Sequence, residues 1–184
     1  AKIRLGYFSA DFHHHATAHL AADLFECHYR SRFEVFPFAF GPQVRDDMRR
    51  RLVAAFDEFI EVSDKSDAEV AALARSLKID MAIDLKGFTY HARPGIFAHR
   101  AAPIQVNYLG FPGSMGCEYF DYLLADESLV HADDLQAYAE KVVFLPDSYQ
   151  VNDNTRRIAA AVPGRAALGL PHDGFVFASF NNSF

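Results

Sequence analysis

Short apolar runs alternate with amphipathic segments along most of the chain. Residues 3–8 are apolar at successive positions, which is typical of a strand buried on both faces of a parallel sheet. In the segment that follows, Leu20, Leu24 and Phe25 recur at the spacing of one helix face, and Thr17 is a candidate capping residue. The same order of strand and helix repeats several times. The pattern therefore predicts an α/β protein with a doubly wound parallel sheet.

The later elements follow the same alternation. Strands are predicted over residues 33–40, 59–62, 81–85, 104–109, 122–125 and 142–145, and helices over 48–59, after Ser66, over 96–99 and over 135–140. Pro37 lies near the middle of the second strand and favours a sheet edge or a bulge at that point. Ser66 and Glu69 form a capping-box pattern, so the start of the third helix is well defined.

A change of composition suggests how the chain is divided. Residues 1–146 carry the alternating pattern, and the polar stretch after Pro146 predicts an inter-lobe connection over 147–171. Strand character returns at 175–180. We therefore expect residues 172–184 to begin a second lobe, and the chain to be a segment of a longer protein.

Composition and charge exclude several classes of protein. With 184 residues, of which 51% are hydrophobic, the chain can bury a sizeable core. A formal net charge of −6 gives no general attraction to nucleic acid or to an anionic membrane, and no apolar stretch has transmembrane length or signal-peptide form. The local basic run Arg49-Arg50-Arg51 is interpreted as a solvated helix face. Cys27 and Cys117 are far apart and fit neither a disulfide framework nor a zinc pair, which indicates thiols in the cytoplasm.

The turn after the first strand carries the densest set of reactive side chains. Asp11 is followed by His13, His14, His15 and His19 just before a helix, at the carboxyl end of a predicted strand. In open α/β sheets that position borders the ligand crevice. The set could provide an acid–base pair. Alternatively, the aspartate caps the helix and the histidines are solvated. A metal site is disfavoured, because adjacent histidines point in different directions and no His-Glu-Xaa-Xaa-His motif is present.

Two further stretches could bind a ligand. Residues 110–116 form a glycine-rich loop after a strand, yet they lack both the dinucleotide fingerprint and the Lys-Ser/Thr ending of a P-loop. Lys86, His91, Arg93 and Arg100 cluster beyond the fourth strand, where they could meet a phosphate or carboxylate, or could simply form a wet loop. Neither stretch is specific alone.

Three segments together resemble a known family. Residues 11–20, 92–105 and 109–114 are similar, in order and spacing, to motifs in the amino-terminal catalytic lobe of the O-linked N-acetylglucosamine transferases. The resemblance implies a Rossmann-like lobe of a GT-B glycosyltransferase. It also implies transfer of N-acetylglucosamine from UDP-N-acetylglucosamine to protein Ser or Thr hydroxyls, with inversion at the anomeric carbon and without a cofactor or required metal.

The resemblance also implies roles for individual residues. Asp11 and His15 match the aspartate and histidine of the catalytic centre. The residues expected to bind substrate are His14, Thr17, Arg93, Leu109, Gly110 and Pro112. His14 replaces an asparagine of animal members and His13 a glycine, so the positioning of this turn can differ.

The partners implied are a UDP-sugar donor and a protein or peptide acceptor. The family's carboxyl-terminal lobe supplies most nucleotide contacts, and helical tetratricopeptide repeats usually precede the catalytic lobes, so the chain alone is expected to be inactive. Two alternatives remain open. A non-catalytic lobe that binds nucleotide sugars would keep residues 110–116 without needing Asp11, and a histidine-dependent metal hydrolase would need His13 to His19 to bind metal.

Overall fold

The computed structural model describes residues 1–179, and within them seven strands form one sheet in which every neighbouring pair is parallel. The strands are β1 Ile3–Ser9, β2 Phe33–Ala39, β3 Ile60–Glu61, β4 Met81–Asp84, β5 Ile104–Asn107, β6 Tyr122–Ala125 and β7 Lys141–Phe144. The α-helices are α1 Ala16–Glu26, α2 Asp47–Ala55, α3 Asp67–Ser76 and α4 Gly95–Ala98. Short 3-10 helices span Ala132–Ala137 and Arg165–Leu168. The predicted α/β class with a doubly wound parallel sheet is confirmed.

The central strands of the sheet are buried on both faces, as the apolar runs predict. Leu5 and Tyr7 of β1 join one cluster with α1 and α2, whereas Phe8 joins a second cluster with α3 and α4. Successive side chains of a strand point to opposite faces, so each central strand contributes to both layers. This two-sided burial is the reason that the strands lack a polar face.

The order of the strands is β3-β2-β1-β4-β5-β6-β7. The chain builds outward from β1 through β2 to β3, then returns to place β4 on the other side of β1. The switch point therefore lies between β1 and β4, where Phe8 is in register with Asp84. Ligands of open α/β sheets bind beyond the carboxyl ends of the strands at such a point.

Pro37 favours a sheet edge or a bulge, but β2 is an interior strand that lies between β3 and β1. The local backbone explains why the proline is tolerated there. β2 is paired with β1 along its whole length, and Pro37 is in register with Tyr7. On its other side, β3 pairs only with Phe38 and Ala39. The backbone of Val35, which points to the same side as that of Pro37, is bonded to Asp57 instead of a strand. The missing N–H of Pro37 thus faces the side where no ladder partner is needed.

The helix ends follow from their capping residues. α1 begins at Ala16, and His15 caps it by accepting a hydrogen bond from the Thr17 N–H, so the expected capping by Thr17 is wrong. The capping box of Ser66 and Glu69 is present at α3. α2 ends at Ala55, earlier than predicted; the aromatic residues after it still pack in the same core.

The run Arg49-Arg50-Arg51 is only partly the solvated helix face that was expected. Arg49 is 8% exposed, donates to the Phe12 carbonyl and lies over the Phe59 ring, 4.0 Å from its centroid. Arg51 bonds Glu26 through two nitrogens. Arg50 alone of the three is exposed. The run lies on α2, whose turn of about 100° per residue sends neighbouring side chains in different directions.

The backbone groups into one unit of Ala1–Asn154 and a second of Thr155–Phe184. The described part of the second unit contains the 3-10 helix Arg165–Leu168 and exposed aromatic side chains at Phe175 and Phe177. Residues 175–179 form no strand, contrary to expectation, and residues 180–184 lie outside the described residues. A strand needs a hydrogen-bonded neighbour, and the described part of this unit offers none. Across residues 1–179, no helix has both the length and the apolar character required to span a membrane.

Candidate active site

The turn that follows β1 places Asp11 at the switch point. Its N–H donates to the Ser9 side chain at 3.0 Å, and its carbonyl accepts from the His13 N–H at 2.8 Å. These two local bonds fold the backbone sharply between strand and helix. Asp11 is 7% exposed, so its carboxylate is largely withdrawn from solvent. The alternative in which Asp11 caps α1 is wrong, because His15 holds that place.

The carboxylate of Asp11 forms an ion pair with Lys86. The Nζ atom of Lys86 donates to Oδ2 of Asp11 at 2.6 Å, and the two side chains are 5% and 9% exposed. The pair joins the turn after β1 to the turn after β4, two neighbouring strands. A charged group in such a dry position is stable only when it is paired.

The turn after β4 is fixed by Asp84. Its two carboxylate oxygens accept from the Lys86 N–H at 2.9 Å and the Gly87 N–H at 3.1 Å. Burial raises the pKa of Asp84 to about 6, and these backbone bonds and the Lys86 charge oppose the rise. Gly87 has a φ of 54°, and a side chain there would meet Phe111. The backbone of Lys86 is therefore held rigidly where it leaves the strand.

His15 lies beside the Asp11–Lys86 ion pair and is more exposed than either of these residues. Its Nδ1 atom is 3.3 Å from the Thr17 nitrogen and 3.5 Å from Oδ2 of Asp11, and its side chain is 42% exposed. Desolvation lowers the pKa of His15; Asp11 opposes this, whereas Lys86 and His13 add to it. The lowered pKa favours the neutral imidazole, and the side chain stays partly accessible to solvent.

His14 takes no part in that contact. Its N–H donates to Asp46 at 2.7 Å, and its Nδ1 atom lies 3.0 Å from Nε2 of His19. The turn thus does bring two histidine nitrogens together, which the argument from adjacent residues did not anticipate. Within residues 1–179, however, no group of three or more His, Cys, Asp or Glu side chains is arranged to hold a metal ion.

The glycine-rich loop begins with a tight turn at Leu109. This residue has a φ of 70°, and the Gly110 N–H donates to the Tyr108 carbonyl at 2.9 Å, which is the hydrogen bond of a γ-turn. The turn ends β5 at Asn107, two residues before its predicted end. Backbone conformations of this kind are costly and are concentrated at functional sites.

Gly110 packs directly against the Lys86 turn. A Cβ atom added at Gly110 would lie 2.1 Å from the Leu85 carbonyl oxygen and 3.2 Å from the Cα of Lys86, so only glycine fits there. The loop beyond it is anchored by Asn107, whose Nδ2 atom donates to the Gly113 carbonyl at 2.9 Å. Pro112 lies exposed on this loop. The turns after β1, β4 and β5 therefore form one continuous surface.

Arg93 is engaged on the outer side of that surface. Its Nε atom donates to Asp67 at 2.7 Å, its Nη2 atom donates to the Lys65 carbonyl at 2.7 Å, and its guanidinium lies over the Phe40 ring. These contacts connect the loop after β4 to the start of α3. They bring Arg93 to no other predicted site residue, and its substrate-binding role stays a prediction.

The turns after β1, β4 and β5 bring several of the predicted site residues together. Asp11 and His15 come together as predicted, Thr17 contacts His15 through its backbone, and Gly110 meets the backbone beside Lys86. Of the two interpretations of the cluster that contains Lys86, the wet loop is wrong for Lys86 itself, which is 4% exposed and contacts the Asp11 carboxylate. A usable signal existed: a lysine two residues beyond one buried strand, and an aspartate two residues beyond its neighbour.

A separate cleft of about 570 Å³ is lined by Gln43, Val44, Arg45, Arg50 and Val53, among others, on and before α2. It contains none of the predicted site residues.

Comparison with known proteins identifies the family of the chain. Residues 1–161 match the model of glycosyl transferase family 41. The chain is 38% identical, over its full length, to a probable UDP-N-acetylglucosamine–peptide N-acetylglucosaminyltransferase, SEC, of Arabidopsis thaliana, and covers 19% of that protein. It is 32% identical over 85% of its length to the corresponding transferase of Caenorhabditis elegans, of which it covers 14%.

A solved structure of an O-GlcNAc transferase variant from Thermobaculum terrenum superposes on 81% of this chain with a TM-score of 0.78 and 31% identity, and the match covers 28% of that structure's chain. The chain thus spans a fifth or less of the two curated relatives. The resemblance inferred from the three motifs is confirmed, and so is the Rossmann-like fold. The chain belongs to glycosyl transferase family 41.

Proposed function

We propose that the protein containing this chain is an inverting glycosyltransferase that moves N-acetylglucosamine from UDP-N-acetylglucosamine to Ser or Thr hydroxyls of proteins. This chain contributes the amino-terminal part of the catalytic region. The observation that carries the proposal is the meeting of Asp11 and His15 at the switch point of the sheet, in a chain of family 41. The names of the relatives supply the donor and the class of acceptor.

The proposed reaction is a single in-line displacement. The acceptor oxygen forms a bond to the anomeric carbon while the bond from that carbon to the UDP oxygen breaks, and UDP leaves with the electron pair. The hydroxyl proton passes to a base. His15 suits this task because it is partly exposed and its lowered pKa favours the neutral form, which can accept a proton.

Asp11 then acts through His15. For Nε2 of His15 to accept the proton, Nδ1 must carry one, and the nearest carboxylate oxygen to Nδ1 is Oδ2 of Asp11 at 3.5 Å. In the other tautomer Nδ1 accepts from the Thr17 N–H and Nε2 can only donate. The negative charge of Asp11 favours the first tautomer and the imidazolium that forms as the hydroxyl loses its proton.

The glycine-rich loop is proposed to form one wall of the sugar site. Leu109 and Gly110 hold the backbone close against the Lys86 turn, and Pro112 is exposed beyond them. Thr17 is proposed to lie beside the sugar at the start of α1, where the first N–H groups of the helix have no intrahelical acceptor. His14 borders the same end of the sheet and is the proposed outer contact to the substrates.

The remaining parts of the site come from outside this chain. We propose that a second lobe provides most of the uridine and diphosphate contacts, and that helical repeats help to bind the protein acceptor. We propose that the reaction takes place in the cytoplasm, and the free thiols of Cys27 and Cys117 support this. No nucleic acid or membrane is among the proposed partners.

The proposed mechanism uses no metal and no cofactor. A catalytic zinc site generally has three protein ligands, whereas the close histidine pair is His14 and His19. The full-length protein should therefore keep its activity after treatment with EDTA. Loss of transfer on chelation, with recovery on adding back one metal, would overturn this part of the proposal.

The test of the function is transfer by the full-length protein. UDP-N-acetylglucosamine and a Ser/Thr peptide library would be incubated with the enzyme, and mass spectrometry and linkage analysis would identify the product. A β-linked N-acetylglucosamine on a hydroxyl is expected, and UDP-glucose serves as the comparison donor. If the protein binds the donor but transfers nothing to any peptide, the alternative of a non-catalytic nucleotide-sugar-binding lobe replaces the proposal.

A further inference from the structure

Lys86 is unusual among the lysines of the chain because it is almost fully buried. It is 4% exposed, whereas lysine side chains normally keep their ammonium group in water. Its side chain reaches across from the turn after β4 to Oδ2 of Asp11, on the turn after β1. The cost of burying the ammonium group is offset only if this contact is maintained.

The backbone of Lys86 is fixed by bonds on both sides. Its N–H donates to Asp84, its carbonyl accepts from the Thr89 hydroxyl at 2.9 Å, and the preceding Leu85 N–H donates to the Phe8 carbonyl at 3.0 Å. Gly110 packs against its Cα. The ammonium group therefore projects from a rigid base and can hold Asp11 in one orientation.

We propose that Lys86 is a positioning residue of the transfer reaction: its ammonium group fixes the Asp11 carboxylate in the place from which Asp11 acts on His15. The inference rests on the proposed function and extends it to a residue that does not touch the substrate. Without Lys86, Asp11 can rotate away from Nδ1 of His15, now 3.5 Å from Oδ2. Misplacement of about 1 Å in a catalytic constellation reduces turnover by about a hundredfold.

If Lys86 positions Asp11, the charges of both residues should affect the pH dependence of kcat, which a purely structural role of Lys86 would leave unchanged. The groups that act on His15 are Asp11, which raises its pKa, and Lys86 and His13, which lower it together with burial. Removing the charge of Lys86 should raise the pKa of His15, and removing that of Asp11 should lower it. The acid limb of the kcat profile should thus move to higher pH in one variant and to lower pH in the other.

The kinetic test compares Lys86→Met with Asp11→Asn in the full-length enzyme. For Lys86→Met we expect kcat to fall roughly ten- to a hundredfold, with KM for UDP-N-acetylglucosamine within about twofold, because the residue does not bind the donor. Lys141→Met, at an exposed lysine of β7, is the matched control and should match the wild type. A large rise in KM with kcat unchanged would mean that Lys86 binds substrate, and would overturn the proposal.

The Lys86–Asp11 ion pair can also be tested by stability, without measuring catalysis. Lys86→Met and Asp11→Asn should each lower the thermal midpoint of the full-length protein, and the double variant should lower it by less than the sum. This holds even if Lys86→Met alone fails to fold, since the double variant buries no unpaired charge. Additive losses would overturn the pairing. If the wild type transfers no sugar while the coupling persists, the proposed function fails and the ion pair stands.

Discussion

The connection from β4 to β5, which includes α4, contains two kinds of cationic residue. Lys86, at its start, is 4% exposed and pairs with Asp11 across the switch point. Arg93, seven residues later, bonds Asp67 and backbone carbonyls at the start of α3. Arg100 similarly bonds Asp121 through a two-pronged contact. The first faces the site, and the other two hold elements of the scaffold together.

Lys86 differs from Arg93 and Arg100 in the residues that it contacts, although all three are cationic. Lys86 directly follows a central strand, so its side chain is directed at the turn of the neighbouring strand. The arginines lie beyond the rigid turn, where their forked guanidinium groups satisfy carbonyls that no helix or strand uses. A cation beside an active site is therefore functional only if the topology gives it a functional partner.

The largest expected effect is that of replacing Asp11, the carboxylate that Lys86 contacts, compared with replacing Asp67, the carboxylate that Arg93 contacts. Asp11→Asn should reduce kcat between about a hundredfold and ten thousandfold, the range for losing a group that supports proton transfer. Asp67→Asn, which removes the charge facing Arg93, should leave kcat within about twofold. Single-turnover rates of the full-length variants at one pH give the comparison.

Stability provides the control for this pair of variants. Asp11→Asn also leaves the Lys86 ammonium group without its counter-charge, so a loss of up to about 3 kcal/mol of folding free energy is expected. Rates must therefore be measured well below the melting temperature of each variant. Equal rates for Asp11→Asn and Asp67→Asn would abolish the distinction between Lys86 and Arg93.

The second effect concerns Asp84, which anchors Lys86. Its pKa is raised from the ordinary 3.8 to about 6, so between these pH values the folded chain holds a proton that the unfolded chain has lost. The stabilising effect of that proton is present below pH 4 and is lost as the pH rises through about 6, by about 3 kcal/mol in total. Asp84→Asn should remove this slope. Urea unfolding of both proteins at several pH values between 4 and 7 measures it.

The sign of the Asp84 effect is what makes it decisive. An aspartate stabilised by an ion pair would show the reverse slope, with stability lost as the pH falls. If wild type and Asp84→Asn have parallel profiles, Asp84 is ionised throughout, and burial is not the dominant influence on its pKa.

The sequence was sufficient for the order of elements, because burial on both faces leaves uninterrupted apolar strands, and the capping box at Ser66 marks a helix start. It was also sufficient for the meeting of Asp11 and His15, four residues apart on one turn. The resemblance added their roles. Local pattern thus predicts elements and contacts close in sequence.

Contacts distant in sequence were not predictable in the same way. Lys86 and Asp11 are 75 residues apart, and only the order of β1 and β4 in the sheet makes them neighbours. Pro37 misled for a related reason, since the short β3 leaves its side of β2 without a ladder partner. The γ-turn at Leu109 depends on how closely Gly110 packs against Leu85, which no local propensity encodes.

The third effect tests Arg93 as a scaffold residue. Arg93→Met removes its bonds to Asp67 and to two carbonyls while keeping much of the apolar stem, and should cost about 2 kcal/mol of stability. KM for the acceptor peptide should change by no more than about threefold. Thermal midpoints and steady-state kinetics of the full-length protein measure the two quantities. A tenfold rise in KM at unchanged stability would instead support the substrate-binding role.

The smallest effect is expected at Arg100, which follows α4 and is the last cation before β5. Its Nη2 atom donates to both carboxylate oxygens of Asp121 at 2.8 Å and to the Pro103 carbonyl at 2.8 Å, and its side chain is 43% exposed. Arg100→Lys keeps the charge but loses the fork, so about 1 kcal/mol of stability should be lost and kcat should not change. Lys86→Arg is the matched variant, since it too keeps the charge while altering the geometry, but in the buried pair it should reduce kcat. If Arg100→Lys slows turnover as much as Lys86→Arg does at equal stability, the distinction between Lys86 as a positioning residue and Arg100 as a structural residue is wrong.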